Sequence, residues 1–222
     1  MTETARSLNS DVLLEAREID FGYTPGALVL QGWSAKFSAG SLTAMTGPSG
    51  RGKSTLLYLL GLMLRPAGGD VFVEGVNSVR MRDVDRARLR ALRYGFVFQD
   101  AALDATRTVL ENVTETALYR REPRKESQHR AHELLERFGV DVPARRKPGQ
   151  VSGGQAQRIA LCRALLNNPR ILLADEPTGN LDPTTADIVL QALREHAHAG
   201  NAVIVVTHSP EVAAASDAEI RL

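Results

Sequence analysis

The stretch Gly47-Pro48-Ser49-Gly50-Arg51-Gly52-Lys53-Ser54-Thr55 decides how this chain reads, because it satisfies the G-x-x-x-x-G-K-[ST] pattern of a phosphate-binding loop. Residues 42–46 before it are short, apolar and β-prone, and residues 56–64 after it form a leucine-rich run of helical length. The pattern is strand, loop, helix. Gly47, Gly50 and Gly52 let the backbone wrap an anion and aim N–H groups at it, while a helix N-terminus adds its dipole. Lys53 then supplies positive charge to the β- and γ-phosphates, and the Ser54 hydroxyl is placed to ligand Mg2+. A glycine-rich turn can match by accident, but the flanking strand and helix favour a nucleotide site.

Composition bounds the rest. With 222 residues and 43% hydrophobic content, the chain can bury a core as one domain with a subdomain. A formal net charge of +1 gives no argument for nucleic acid, and none is expected as a partner. Cys162 is the sole cysteine, so no internal disulfide forms, and a reducing compartment follows. Residues 1–11 are polar and unlike a secretory signal, and no window approaches the roughly 20 apolar residues that span a bilayer. The expected place is the cytosol, or a membrane surface to which something else holds the chain.

Working outward from the loop, residues 12–19 and 28–37 show β-like runs or alternation with Tyr23-Thr24-Pro25-Gly26 as a turn between them, which predicts a hairpin. Tyr23 can stack on an adenine ring there, although a tyrosine beside a turn more often simply packs. Pro66, Gly68 and Gly69 close the helix after the loop, and residues 70–74 read as a short strand. Residues 83–93 predict a helix whose Arg86, Arg88, Arg90 and Arg93 read as a solvated face rather than an anion-binding patch. The strand predicted over 94–98 delivers Gln99 to its carboxyl end, the edge where open α/β sheets bind ligands.

Between residues 101 and 166 the pattern is helical, with Ala131, Leu134, Leu135 and Phe138 at i, i+3, i+4 and i+7. His129 and His132, like His196 and His198, read as solvated surface rather than metal ligands. Residues 171–174 return to strand and are followed at once by Asp175 and Glu176. Downstream of a phosphate loop such a pair divides its labour: Asp175 holds Mg2+ through its water shell, and Glu176 polarises the attacking water. A helix over 184–199, begun by Pro183 and ended by Gly200, leads to a strand over 202–206 that presents His208. Loop, glutamine, acid pair and histidine thus all fall at strand ends and converge on one sheet edge.

The segment V-S-G-G-Q-A-Q, Val151 to Gln157, continuing into R-I-A-L-C-R-A-L, resembles the L-S-G-G-Q signature of the ATP-binding cassette (ABC) transporter ATPases. The motif order across essentially the whole chain resembles their nucleotide-binding subunit. The resemblance implies an α/β fold: a P-loop NTPase core with a mostly parallel sheet, an N-terminal antiparallel β-subdomain and an inserted α-helical subdomain. It implies one domain, with residues 1–99 and 168–222 as core and β-subdomain and 100–167 as the helical insertion. It makes Tyr23 the adenine-stacking aromatic, Gln99 a Q-loop residue toward metal and chemistry, Ser152, Gly153, Gly154 and Gln155 the signature, Asp175 and Glu176 the Walker B pair, Asp182 the D-loop and His208 the switch histidine.

The family works as a head-to-tail dimer, a homodimer or paired subunits, in which one copy's signature closes on the γ-phosphate held by the other's loop. ATP and Mg2+ are the implied cofactors, and the implied place is the cytoplasmic face of the cell membrane. A helix opening at Ser152-Gly153-Gly154 supplies a physical reason, since its free N–H groups suit a phosphate. The Q-A-Q-R that follows shows no hydrophobic-core role. Residues 174–182 and Phe96-Val97-Phe98-Gln99 look most like the lipoprotein-release, macrolide-efflux and FtsE-like branch.

Three departures stand out: Val151 where leucine is usual, Cys162 for a common alanine, and an end at Leu222 where members usually add a short strand and turn. A fourth bears on partners. Relatives place a phenylalanine and then Leu-Leu-Pro after the Q-loop to form the groove for a permease subunit's coupling helix, whereas this chain has Ala101, then Leu103-Asp104-Ala105. The groove near Gln99–Ala105 is therefore expected to be smaller and to offer Asp104 to a basic partner residue. DNA-maintenance relatives split the cassette round a coiled coil and translation relatives carry two cassettes; neither pattern is present. A regulatory, non-hydrolysing module would lose one of Glu176, Gln99 or His208, and all three are retained.

Overall fold

A computed structural model describes residues 11–24, 26–179 and 181–222. The reading of the polar N-terminus over residues 1–10, Pro25 of the predicted turn and Asn180 of the 174–182 stretch lie outside these residues.

The predicted hairpin forms. Strand β1 (Val12–Phe21) pairs antiparallel with β2 (Leu30–Ser38), from Val12 opposite Ser38 to Phe21 opposite Leu30. On its other edge β1 takes β4 (Gly68–Val73), which turns into the two-residue strand β5 (Val76–Asn77), giving the order β2-β1-β4-β5. The turn at Glu74 and Gly75, with φ 47° and 80°, has the two left-handed positions of a tight hairpin. Glutamate is a weak signal for that geometry, so β5 was not legible in the sequence.

The second sheet is wholly parallel in the order β6-β7-β8-β3-β9. Its strands are β3 (Ser41–Thr46), β6 (Tyr94–Val97), β7 (Ile171–Asp175), β8 (Ala202–Val206) and β9 (Ala218–Arg221). Every residue of β7 and β8 is buried, as expected of parallel strands covered on both faces. Ile171 and Leu173 face one core with Met45, Leu56 and Phe37; Leu172 and Ala174 face another with Val203, Leu193 and Ile159. Helix α1 (Lys53–Leu60) and the antiparallel sheet cover the first face, and α6 (Pro183–His198) and the helical arm cover the second. The final strand β9, parallel to β3, and the short α7 (Pro210–Ala214) before it were not anticipated.

The arm comprises α3 (Val109–Arg120), α4 (Arg124–Arg137) and α5 (Gly153–Leu165). It is less continuously helical than the periodicity of 101–166 implies, because Thr108 and Glu111 form a capping box that fixes where α3 starts and Gly139, at φ 59°, ends α4. Fully buried Asn112 pins the intervening loop, donating to Asp104 O and Thr108 O at 3.0 and 2.9 Å and accepting from Asp104 N. Ala131, Leu135 and Phe138 are buried as their spacing predicts.

Helix α2 (Asp83–Arg93) corrects one reading. Its arginines are not simply a solvated face: Arg86, 5% exposed, donates to Leu64 O at 2.6 Å, Arg90 donates to Leu62 O at 2.8 Å, and Arg93 pairs with Glu74. Carbonyls in the turn after α1 attract Arg86 and Arg90, a carboxylate attracts Arg93, and among the described residues only Arg88 of the four makes no side-chain hydrogen bond. His196 is likewise not surface. Its Nε2 lies 2.9 Å from Pro169 O, and burial lowers its pKa.

Candidate functional site

The loop leaves β3 at Gly47, whose φ of 138° and crowded Cβ position, 2.6 Å from Leu222 O, both demand glycine. Gly52, left-handed at φ 84°, caps α1, and a Cβ there would lie 2.7 Å from Val29 Cγ1. Lys53 opens the helix almost fully buried, its ammonium donating to Gly47 O at 2.7 Å and Pro48 O at 2.9 Å. The cation is thus held at the mouth of the loop. Tyr23 meets Phe21 edge-on, with centroids 5.0 Å apart, and its hydroxyl lies 2.9 Å from Thr55 Oγ1. The residue remains 65% exposed beside the loop, a position suited to stacking.

At the neighbouring strand end, Asp175 closes β7 buried, and Glu176 turns away at φ 47° while its N–H donates to Val206 O at 2.9 Å. Glu176 Oε2 accepts from Thr207 Oγ1 at 3.3 Å, and Oε1 lies 3.6 Å from His208 Nε2. That Oε1 is buried with no hydrogen-bond partner. Burial raises the Glu176 pKa, opposed by His208, so the group has the basicity wanted of a water-activating carboxylate. A cavity of about 380 Å3 joins these parts: Tyr23, Ser49, Gly50, Gly52, Lys53, Ser54 and Thr55 line it with Gln99, Asp175, Glu176 and His208. Beside it a cleft of about 670 Å3 is lined by Tyr58, Phe98, Asp100 and Ala102, and shares Ser54, Gln99 and Asp175.

A hydroxyl, an amide and a carboxylate thus border both spaces as hard oxygen donors, a set that fits Mg2+. Among the described residues no group of three His, Cys, Asp or Glu is placed to hold a metal ion.

Some expected residues stand apart. Ser152 caps α5 in a box with Gln155: Gln155 N donates to Ser152 Oγ at 3.2 Å, and Ser152 N donates to Gln155 Oε1 at 2.9 Å. None of Ser152, Gly153, Gly154 and Gln155 lines the cavity. Asp182 caps α6, accepting from Thr185 N at 3.0 Å, and Pro48 and Arg51 lie off the cavity wall. The Asp104 carboxylate, expected to await a basic partner, is already engaged by Thr106 N at 2.8 Å and by Arg107 at 3.1 Å.

Two residues were missed. Buried Thr207 touches Glu176 and accepts from Ser209 N at 3.0 Å. Gln157, 3% exposed, donates to Phe98 O at 3.2 Å, giving the Q-A-Q-R segment a polar structural role. The only signal for Thr207 was its place before His208.

A glycine loop with its lysine, a strand-end acid pair and a separate glycine-led helix on one α/β frame define a P-loop ATPase. The ABC transporter family model matches residues 30–179. The chain is 45% identical over 195 residues to the lipoprotein-releasing system ATP-binding protein LolD of Paramagnetospirillum magneticum, covering 87% of this chain and 86% of that protein. It is 44% identical to LolD of Myxococcus xanthus, covering 87% of each. Its fold is similar to the dimeric structure of MJ0796, a bacterial ABC transporter cassette, with TM-score 0.89, 33% identity and coverage of 95% and 94%. A post-hydrolysis state of that cassette bound to ADP and Pi matches equally well. The chain belongs to the ABC transporter family, as one of its ATP-binding, ATP-hydrolysing subunits.

Proposed function

We propose that this subunit powers a membrane complex of the lipoprotein-release kind, pairing head-to-tail with a second cassette around two MgATP. One observation carries the reading: the cavity holding Lys53, Asp175 and Glu176 contains no residue of the Ser152–Gln155 signature, whose helix start is exposed elsewhere on the surface. Each chain then offers half of two sites, and a partner's Gly153 and Gly154 N–H groups complete each phosphate pocket.

Within one half, Lys53 and the loop amides balance phosphate charge, and Tyr23 stacks on the base. Ser54, Gln99 and Asp175 would hold Mg2+, which would supply positive charge against the phosphates. Glu176 accepts a proton from the attacking water, and His208, 3.6 Å from its Oε1, steadies the carboxylate's charge. Residues 100–167 act as an arm moving against the core formed by 1–99 and 168–222. Integral membrane permease subunits dock at the groove near Gln99–Ala105, where the cleft beside the nucleotide cavity opens, and so keep the protein peripheral at the cytoplasmic face of the cell membrane. The Asp104 charge is not the contact that selects them, since Arg107 and Thr106 already satisfy it.

The test is Glu176→Gln with MgATP on size exclusion. A stable dimer with very slow turnover is expected, and a variant that stays monomeric yet hydrolyses at the full rate overturns the pairing. Co-purification of a membrane subunit from detergent extract tests the remainder.

A further inference from the structure

Arg163 of α5 is 8% exposed and forms no salt bridge among the described residues. Its two terminal nitrogens donate instead to Ala102 O at 2.7 Å and Ala101 O at 2.8 Å. A buried guanidinium needs such compensation. The acceptors are unusual: Ala101 and Ala102 have φ 60° and 44°, the only adjacent non-glycine pair with positive φ among the described residues. Left-handed backbone strains an L-residue and suits glycine, so something must hold these two in place. Lower on the same helix, Gln157 grips Phe98 O at 3.2 Å. Helix α5 therefore holds the chain on both sides of Gln99.

We propose that Arg163, with Gln157, is a positioning residue: a clamp through which the helix that starts at Ser152 sets where Gln99 stands in the nucleotide cavity. The inference rests on the reading of Gln99 as a site residue. Movement of α5 against the core is then transmitted to Gln99 by two backbone attachments rather than by a flexible loop. The strained alanines make the arrangement conditional, because residues 100–103 relax once the guanidinium lets go.

Arg163→Met should lower kcat by about tenfold or more, leaving affinity for a fluorescent ATP analogue within about twofold, because the phosphate loop and Tyr23 are untouched. Amide exchange at residues 100–103 should quicken by about tenfold. Adding Ala101→Gly and Ala102→Gly should bring kcat back to within about threefold of wild type, since glycine reaches positive φ without the strain that the clamp offsets. Wild-type kcat and exchange in Arg163→Met would overturn the proposal. So would a folded triple variant as slow as Arg163→Met, which would leave Arg163 a packing residue. Should Arg163→Met fail to fold, Ala102→Val decides with Arg163 intact: a β-branched side chain at that exposed position resists positive φ, so kcat should fall at unchanged affinity, and wild-type kcat would refute the clamp. Gln99→Ala separates the two ideas. Unchanged turnover there removes Gln99 from the site, while exchange at 100–103 still decides whether Arg163 clamps.

Discussion

The Thr207 hydroxyl lies 3.3 Å from Glu176 Oε2 while accepting the Ser209 N–H at 3.0 Å, joining the acid that ends one strand to the turn that follows its neighbour. With its proton given to Glu176 and a lone pair to Ser209, it fixes the carboxylate's rotamer, while Oε1 stays buried without a hydrogen-bond partner. Thr207→Val keeps the shape and removes both bonds. Turnover should fall by about tenfold with little change in nucleotide affinity, as expected for a group that orients a base. Steady-state kinetics alongside equilibrium titration checks the split.

Glu176 gives a pH prediction. Its pKa is raised by burial, so the native state holds a proton that the unfolded chain has already released, and stability falls as pH rises from the ordinary glutamate value through the raised one. Glu176→Gln carries no such cost. Its Tm should exceed that of wild type at neutral pH, and the gap should close as pH drops below the ordinary glutamate range. The acid limb of wild-type kcat should sit above that range too, because only the ionised form accepts the proton.

Lys53 and Tyr23 should differ in kind. Lys53→Ala removes a buried cation from the loop and should weaken nucleotide binding by about a hundredfold, whereas Tyr23→Ala removes stacking and should cost about tenfold. Fluorescent-nucleotide titration orders them, and equal affinity in Lys53→Ala and wild type would contradict the site.

The loop glycines are not equivalent. At Gly50 nothing lies within 4 Å of an added Cβ and only φ 79° opposes it, so Gly50→Ala should cost about 1–2 kcal/mol. At Gly47 the new carbon meets Leu222 O, so Gly47→Ala should cost more and loosen β9 from β3. Thermal melts give the order, and amide exchange across Ala218–Arg221 locates the damage.

The parallel core was legible because β7 and β8 are apolar up to their ends, β3 is short and β-prone, and each leads into chemistry: Gly47, Asp175, and Thr207 before His208. β5, α7 and β9 were not, since they are short, partly exposed and held by turns and neighbours rather than by their own pattern. The groups expected at strand ends and in the loop, among them Lys53, Gln99, Asp175, Glu176 and His208, line one cavity. Polar side chains whose partners are distant carbonyls were harder to read. Arg86 and Arg90 read as surface charge, yet each is anchored to backbone more than twenty residues away, as is Arg163, which the sequence did not single out. Asp104 erred the other way, its charge consumed three residues on by Arg107.

The capping box at Ser152 has an orientational result. Gln155 N occupies one lone pair of the hydroxyl, leaving its hydrogen and its second lone pair beside the first-turn N–H groups of Gly153 and Gly154. Donors therefore outnumber acceptors at that corner of the molecule. A group rich in acceptors suits it best, so a phosphate's bare oxygens are better matched there than an ammonium.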